Sequence, residues 1–198
     1  SRARIGIVVL ASDYTIEHEF RHMISIHGVD FYHARIANSP QITPETLRAM
    51  EPLITRTAEL ILPGDTVDVL AFACTSAAIV LGTPVVAEKL KAAKPEAATT
   101  NPAHAAFEAF RALGAKRIAL LTPYEKPVNV MVQQTVEEAG FEVPVFGSFN
   151  EPNDPVVAAI DTASLKSAIA RMLEGADADA VFISCTSVRI AESVAEIE

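Results

Sequence analysis

The sequence predicts an α/β fold in which one βαβαβ unit occurs twice, giving parallel sheets covered by helices. Three observations carry this. Short apolar, β-rich runs alternate with helical stretches along the chain. The run "KRIALLT" from Lys116 is similar to "RIGIVVLA" from Arg4. The chain has two cysteines, Cys74 in "AFACTSA" and Cys185 in "FISCTSV", which stand 70 residues after Arg4 and 68 after Arg117.

The elements follow in order. "RIGIVVLA" (4–11) reads as a buried strand, and "TIEHEFRHMISI" as a helix with Asp13 or Thr15 as N-cap. "VDFYHARI" (29–36) is the second strand. Thr43 followed by Pro44 starts a helix that runs to about Ile61 with a kink at Pro52. "VDVLAFA" (67–73) is the third strand and delivers Cys74. A helix over 85–93 and an extended piece at 97–99 lead to the helix "NPAHAAFEAFRAL", closed by Gly114. The second round has a strand at 116–122, a helix at 127–139 and a peripheral strand "FEVPVFGSF". A helix at 164–173 and a strand at 178–184 that delivers Cys185 complete it. The expected division is 1–114, carrying Cys74, and 115–198, carrying Cys185. After Cys185 only 13 residues remain, so the second unit is expected to be truncated at its C-terminus; the chain also opens at Ser1 without a Met.

Half the residues are hydrophobic, 21% are charged and the net charge is −9. That composition supports a sizeable core and argues against nucleic acid, which needs a basic surface. No apolar run reaches the length of a membrane span, and no charged-then-apolar leader opens the chain. Two cysteines are too few for a disulfide framework, so free thiols in a cytoplasmic setting are expected. The sequence has neither GxGxxG nor GxxxxGK[ST], and its histidines lack metal-ligand spacing with the cysteines. No metal site and no nucleotide cradle are indicated.

Ligands of parallel α/β units gather beyond the carboxyl ends of the strands. Cys74 and Cys185 both stand there, each expected just before a helix, where free N–H groups would lower a thiol pKa. Thr75, Ser76, Thr186 and Ser187 add hydroxyls and amides suited to a carboxylate or an enediolate. At the ends of the first strands stand Ser12 and Asp13, and then Thr122, Tyr124 and Asn129. Ser12 and Asp13 read either as helix caps or as substrate-binding groups, and Tyr124 as an oxyanion donor or a rim aromatic. Thr99, Thr100 and Asn101 fit a cap better than an anion site. His18, His22, His33 and His104 fit solvated or packed roles. "NEPNDP" (150–155) reads as a connector or a lid.

Together the paired CTS elements, the "TPY" stretch, "DYTIEHEF" and "NSPQITPETL" resemble the Asp/Glu/hydantoin racemase superfamily. The likeness is nearest to the branch with maleate cis-trans isomerases, arylmalonate decarboxylases and racemase-like ectoine-utilization proteins. It implies a cofactor-free, oligomeric enzyme, such as a dimer, with two pseudo-symmetric Rossmann-like lobes and its active site between them. By position it implies that Cys74 and Cys185 form the thiol pair. Thr75, Ser76 and Tyr124 would hold a substrate carboxylate, and Ser12 and Asp13 would bind substrate or activate a thiol. Maleate isomerases resemble Ser-Asn-Thr where this chain has Ser12-Asp13-Tyr14. An ionised Asp13 would repel a dicarboxylate and suit an ammonium group. Arylmalonate decarboxylases look as if they lack the first thiol, so Cys74 argues against a pure decarboxylase.

The leading expectation is a cofactor-independent racemase or epimerase of an amino acid or related small carboxylate. Cys74 and Cys185 would be its two acid/base thiols, with ectoine-derived amino acids suggested by the resemblance. The alternatives are a maleate-type isomerase with Cys74 as nucleophile, a decarboxylase-like enzyme, or a metabolite-binding protein that keeps the cleft.

Overall fold

In the computed structural model, which describes residues 1–197, β1 (Ala3–Leu10) lies inside a four-stranded parallel sheet. β2 (Val29–Ile36) pairs with it on one side and β3 (Val69–Ala73) on the other, and β4 (Ala98–Thr100) pairs with β3. In the second sheet β5 (Ile118–Thr122) lies between β6 (Phe146–Ser148) and β7 (Ala180–Ile183), again all parallel. Each sheet thus places its first strand centrally, its second on one side and its third on the other. The expected repeat is a repeat of topology. It extends to the strand entrances: Asp68 accepts the backbone N–H of Arg4, and Asp179 accepts those of Lys116 and Arg117.

The apolar runs form strands because both faces of the sheets are covered. Ile7, Val8, Val9, Ile118, Ala119 and Leu120 are fully buried. Gly6 is required in β1: a Cβ there would sit 2.9 Å from a Leu70 methyl and 3.1 Å from Ile61.

α1 (Ile16–Met23) is shorter than expected. The helix expected over 43–61 is broken at Pro52 rather than kinked. α2 (Pro44–Arg48), a 3-10 turn (Glu51–Leu53) and α3 (Ile54–Ala58) replace it, because proline starts a turn more readily than it continues one. α4 (Thr75–Leu81) begins directly after Cys74 and precedes α5 (Thr83–Ala93). α6 (Pro102–Leu113) is capped by the Asn101 side chain and ends at Gly114, whose φ of 70° is left-handed. α7 (Lys126–Glu138) follows β5. Two short elements, α8 (Asp154–Val157) and α10 (Val194–Ile197), flank α9 (Thr162–Leu173) in the second half.

One continuous buried cluster reaches both sheets, and a second, formed by Ile7, Val9, Ile16, Ala71 and Ala73, lies on the first sheet. α6 contributes to the continuous cluster across the repeat. Its Phe110 packs edge-on against Phe141 at 5.2 Å and Phe182 of β7 at 5.7 Å. Thr186 Oγ1 donates to the Ala73 carbonyl at the end of β3, at 3.2 Å. Among the described residues no helix is long and apolar enough to cross a membrane.

Candidate active site

The carboxyl ends of β3 and β7 meet at one cavity, and both cysteines line it. Thr75, Ser76, Tyr124, Thr186 and Ser187 line it as well. Among the residues expected from sequence, Ser12, Asp13 and Asn129 stand behind that lining rather than in it. The enclosed space is small, about 20 Å³, room for roughly one water.

Cys74 is the N-cap residue of α4, with extended backbone and a buried side chain. Its Sγ lies 3.6 Å from Ser76 Oγ, and the Ala77 amide also points to it. These donors favour thiolate, yet the pKa is pushed up to about 11. Burial dominates, and the charges of Asp154 and Asp13 add to it. Cys185 differs from the expectation: a turn follows it, not a helix. Its φ is +144°, a left-handed value that favours glycine. Its pKa is pushed up to about 12, first by burial and then by Asp154, against the Ser187 amide and the Tyr124 hydroxyl. The expected lowering of the thiol pKa is therefore overturned. Desolvation and nearby carboxylates outweigh the local amides, and no cationic side chain lines the cavity to compensate.

Tyr124 is fully buried. Its hydroxyl accepts from Ser184 Oγ at 3.5 Å, and Tyr124 lines the cavity together with Cys185. Burial raises its pKa well above the usual phenol value, so it remains a proton donor. Asn129 does not reach the cavity. It braces the tyrosine loop, accepting from Thr122 Oγ1 and donating to the Tyr124 carbonyl at 2.6 Å. Asp13 caps α1. One of its oxygens accepts from the Thr15 and Ile16 amides at 2.7 and 3.0 Å, while the other, Oδ2, is buried without a partner.

Sequence reasoning missed Asp154. It comes from the "NEPNDP" stretch, is buried and lines the cavity. Ser12 Oγ donates to its Oδ2 and Ser187 Oγ to its Oδ1, both at 2.7 Å. Asn38 donates to Ser12 Oγ at 2.8 Å, which turns the serine proton towards the carboxylate. The stretch reaches the site by pairing with the segment before α2. Ile42 donates its amide to the Pro152 carbonyl at 2.7 Å, and Asp154 its amide to Pro40 at 2.9 Å. The one signal in the sequence was an Asp followed by Pro, a helix-start pattern inside a loop. Among the described residues no group of three His, Cys, Asp or Glu side chains is placed to hold a metal ion.

The arylmalonate decarboxylase family profile matches residues 34–198. This chain belongs to that family. It lies in the Asp/Glu racemase-like superfamily and in the branch that its sequence resembles. A maleate isomerase of Nocardia farcinica is 32% identical over 192 residues, covering 92% of this chain and 75% of the relative. The solved maleate isomerase Iso of Pseudomonas putida S16 superposes with a TM-score of 0.89 at 28% identity, over 99% of this chain and 84% of that one. A cysteine-to-serine mutant of the Nocardia farcinica enzyme, solved with a covalently bound succinylcysteine intermediate, gives 0.84 at 27% identity, over 95% and 80%. The expected enzyme class, an isomerase, agrees with these relatives, and so do the two Rossmann-like lobes.

Proposed function

We propose that this protein is a cofactor-independent cis-trans isomerase of a small unsaturated carboxylate, with Cys74 as nucleophile. The observation that carries the reading is the placement of two thiols and a protonated tyrosine around one enclosed cavity. In this reading residues 1–114 supply Cys74 and residues 115–198 supply Cys185.

Cys74 passes its proton to a substrate carboxylate as its sulfur bonds to the alkene carbon β to that carboxylate. The π electrons move onto that carboxylate as an enediolate, which Tyr124, Thr75 and Ser76 can stabilise. The former double bond is now single and rotates. The electron pair then returns, the double bond re-forms in the trans arrangement, and the Cys74 sulfur leaves and takes its proton back from the carboxylate. Cys185 can lend a proton to the carbanionic carbon and take it back, which gives a saturated, succinyl-type adduct in between. The buried thiol is a poor thiolate at rest, so its deprotonation belongs to the substrate-bound state.

Racemisation, the leading expectation from sequence, would use the same thiol pair. The covalent cysteine adduct carried by the Nocardia farcinica relative favours addition instead. The ectoine-related expectation gains no support from these relatives. The deciding experiment incubates Cys185→Ser and Cys74→Ser variants with cis acids and analyses the peptides by mass spectrometry. A saturated acid adduct on Cys74 in the first variant, absent from the second, is expected. Exchange of an α-proton for solvent deuterium on a saturated amino acid, with no adduct, would overturn the reading.

A further inference from the structure

Among the residues lining the cavity, Asp154 is the one that carries a carboxylate, and no lysine, arginine or histidine is present to balance it. It is held in place rather than loosely poised. Ser12 and Ser187 each donate to a different oxygen, and Asn38 fixes the direction of the Ser12 proton. A carboxylate offers about four acceptor sites, so two remain free. A second buried carboxylate, Asp13, stands behind with an unpartnered oxygen.

The geometry points to Asp154 as a specificity-determining residue that receives an N–H donor at the far end of the substrate. The substrate class is then an unsaturated monocarboxylate with an ammonium or amide at its other end, not a dianion. One carboxylate suffices for the chemistry, since a single conjugated acid accepts the electrons of thiol addition. The hydroxyls of Thr75, Ser76 and Tyr124 can take that carboxylate on the thiol side of the cavity, while a second carboxylate would face Asp154 without a cation between them. The charge of Asp154 also disfavours both thiolates. An ammonium against it would cancel that effect, so the right substrate would help to activate its own nucleophile.

This inference rests on the proposed isomerase reading for its substrate's double bond, but its test does not depend on turnover. Three probes are compared: maleate, its monoamide maleamate, and cis-4-aminobut-2-enoate. The readouts are protection against thermal unfolding and, separately, isomerisation followed by NMR. Either nitrogen-bearing probe should protect at a concentration at least about tenfold lower than maleate, the worth of one charge-assisted hydrogen bond. The amide and ammonium arms show which donor is preferred. Asp154→Asn should erase or invert the preference, because its amide can donate to a carboxylate. Should that variant fail to fold, the wild-type ranking alone decides. Equal or better protection by maleate, or a preference unchanged in a folded Asp154→Asn protein, would overturn the proposal. Protection in the expected order without any adduct on Cys74 would leave it standing and sink the isomerase reading instead.

Discussion

Cys185 carries a backbone conformation, φ +144°, that side chains rarely adopt. Such strain costs on the order of 1–3 kcal/mol and collects at functional sites. Here it turns the thiol into the cavity beside Tyr124 instead of letting the chain enter a helix, as it does after Cys74. The strain makes a prediction whose sign is unusual. Replacing a residue by glycine is ordinarily less stable than replacing it by alanine. At position 185 the order should invert: Cys185→Gly should be more stable than Cys185→Ala by about 1 kcal/mol. Urea denaturation of the two variants measures it, and the ordinary order would show that the strain is absent. The residue scale is also where the sequence was least informative. The CTS repeat identified both thiols, yet nothing in seven letters distinguishes a helix start from a strained turn. Nor could it show that burial would raise both pKa values.

The elements were more legible, and the misses have physical causes. Continuous apolar runs such as "IALLT" declare buried strands. α4 gave a weak helical signal because it is buried on all sides: Ala77 and Ala78 are inaccessible, and Thr75 and Ser76 nearly so. A helix without a wet face has no 3.6-residue contrast. Asp154 was invisible for another reason. It is placed by tertiary pairing with residues 40–42, about which local periodicity says nothing. The α7 start illustrates how an element holds a site it does not touch. Asn129 on its first turn ties down the Tyr124 carbonyl and Thr122. Asn129→Ala should cost about 1–3 kcal/mol for the buried groups left unpaired and lower kcat more than it raises KM, as Tyr124 loses its aim. Gly114→Ala is the comparison. It disturbs a left-handed helix end with open space around it, so it should cost about 1 kcal/mol and leave kinetics unchanged. Thermal melts and steady-state kinetics of both variants separate bracing from mere stability.

For the whole molecule, the two thiols write a signature into stability against pH. Both pKa values are raised, from an ordinary 9.0 to about 11 at Cys74 and about 12 at Cys185. The folded protein therefore holds these protons more tightly than the unfolded chain. Their contribution is complete below about pH 9 and is lost as pH rises towards 11 and 12. In that window stability should fall by about 1.4 kcal/mol per pH unit for each thiol. Chemical denaturation between pH 8 and pH 10.5 tests this against a Cys74→Ala, Cys185→Ala protein. The double variant should show the shallower decline, and parallel curves would mean that the thiols are not desolvated.

The pairing between residues 40–42 and 152–154 has a consequence for the width of the site. Gln41, Ile42 and Asp154 all line a space of about 20 Å³, room for roughly one water, so seating a four-carbon acid requires the lining to move. The backbone hydrogen bonds that tie Ile42 to Pro152 and Asp154 to Pro40 make these segments move together. A widening on that side would carry the Asp154 carboxylate with the wall, so the charge would keep its place on the rim of whatever the site admits.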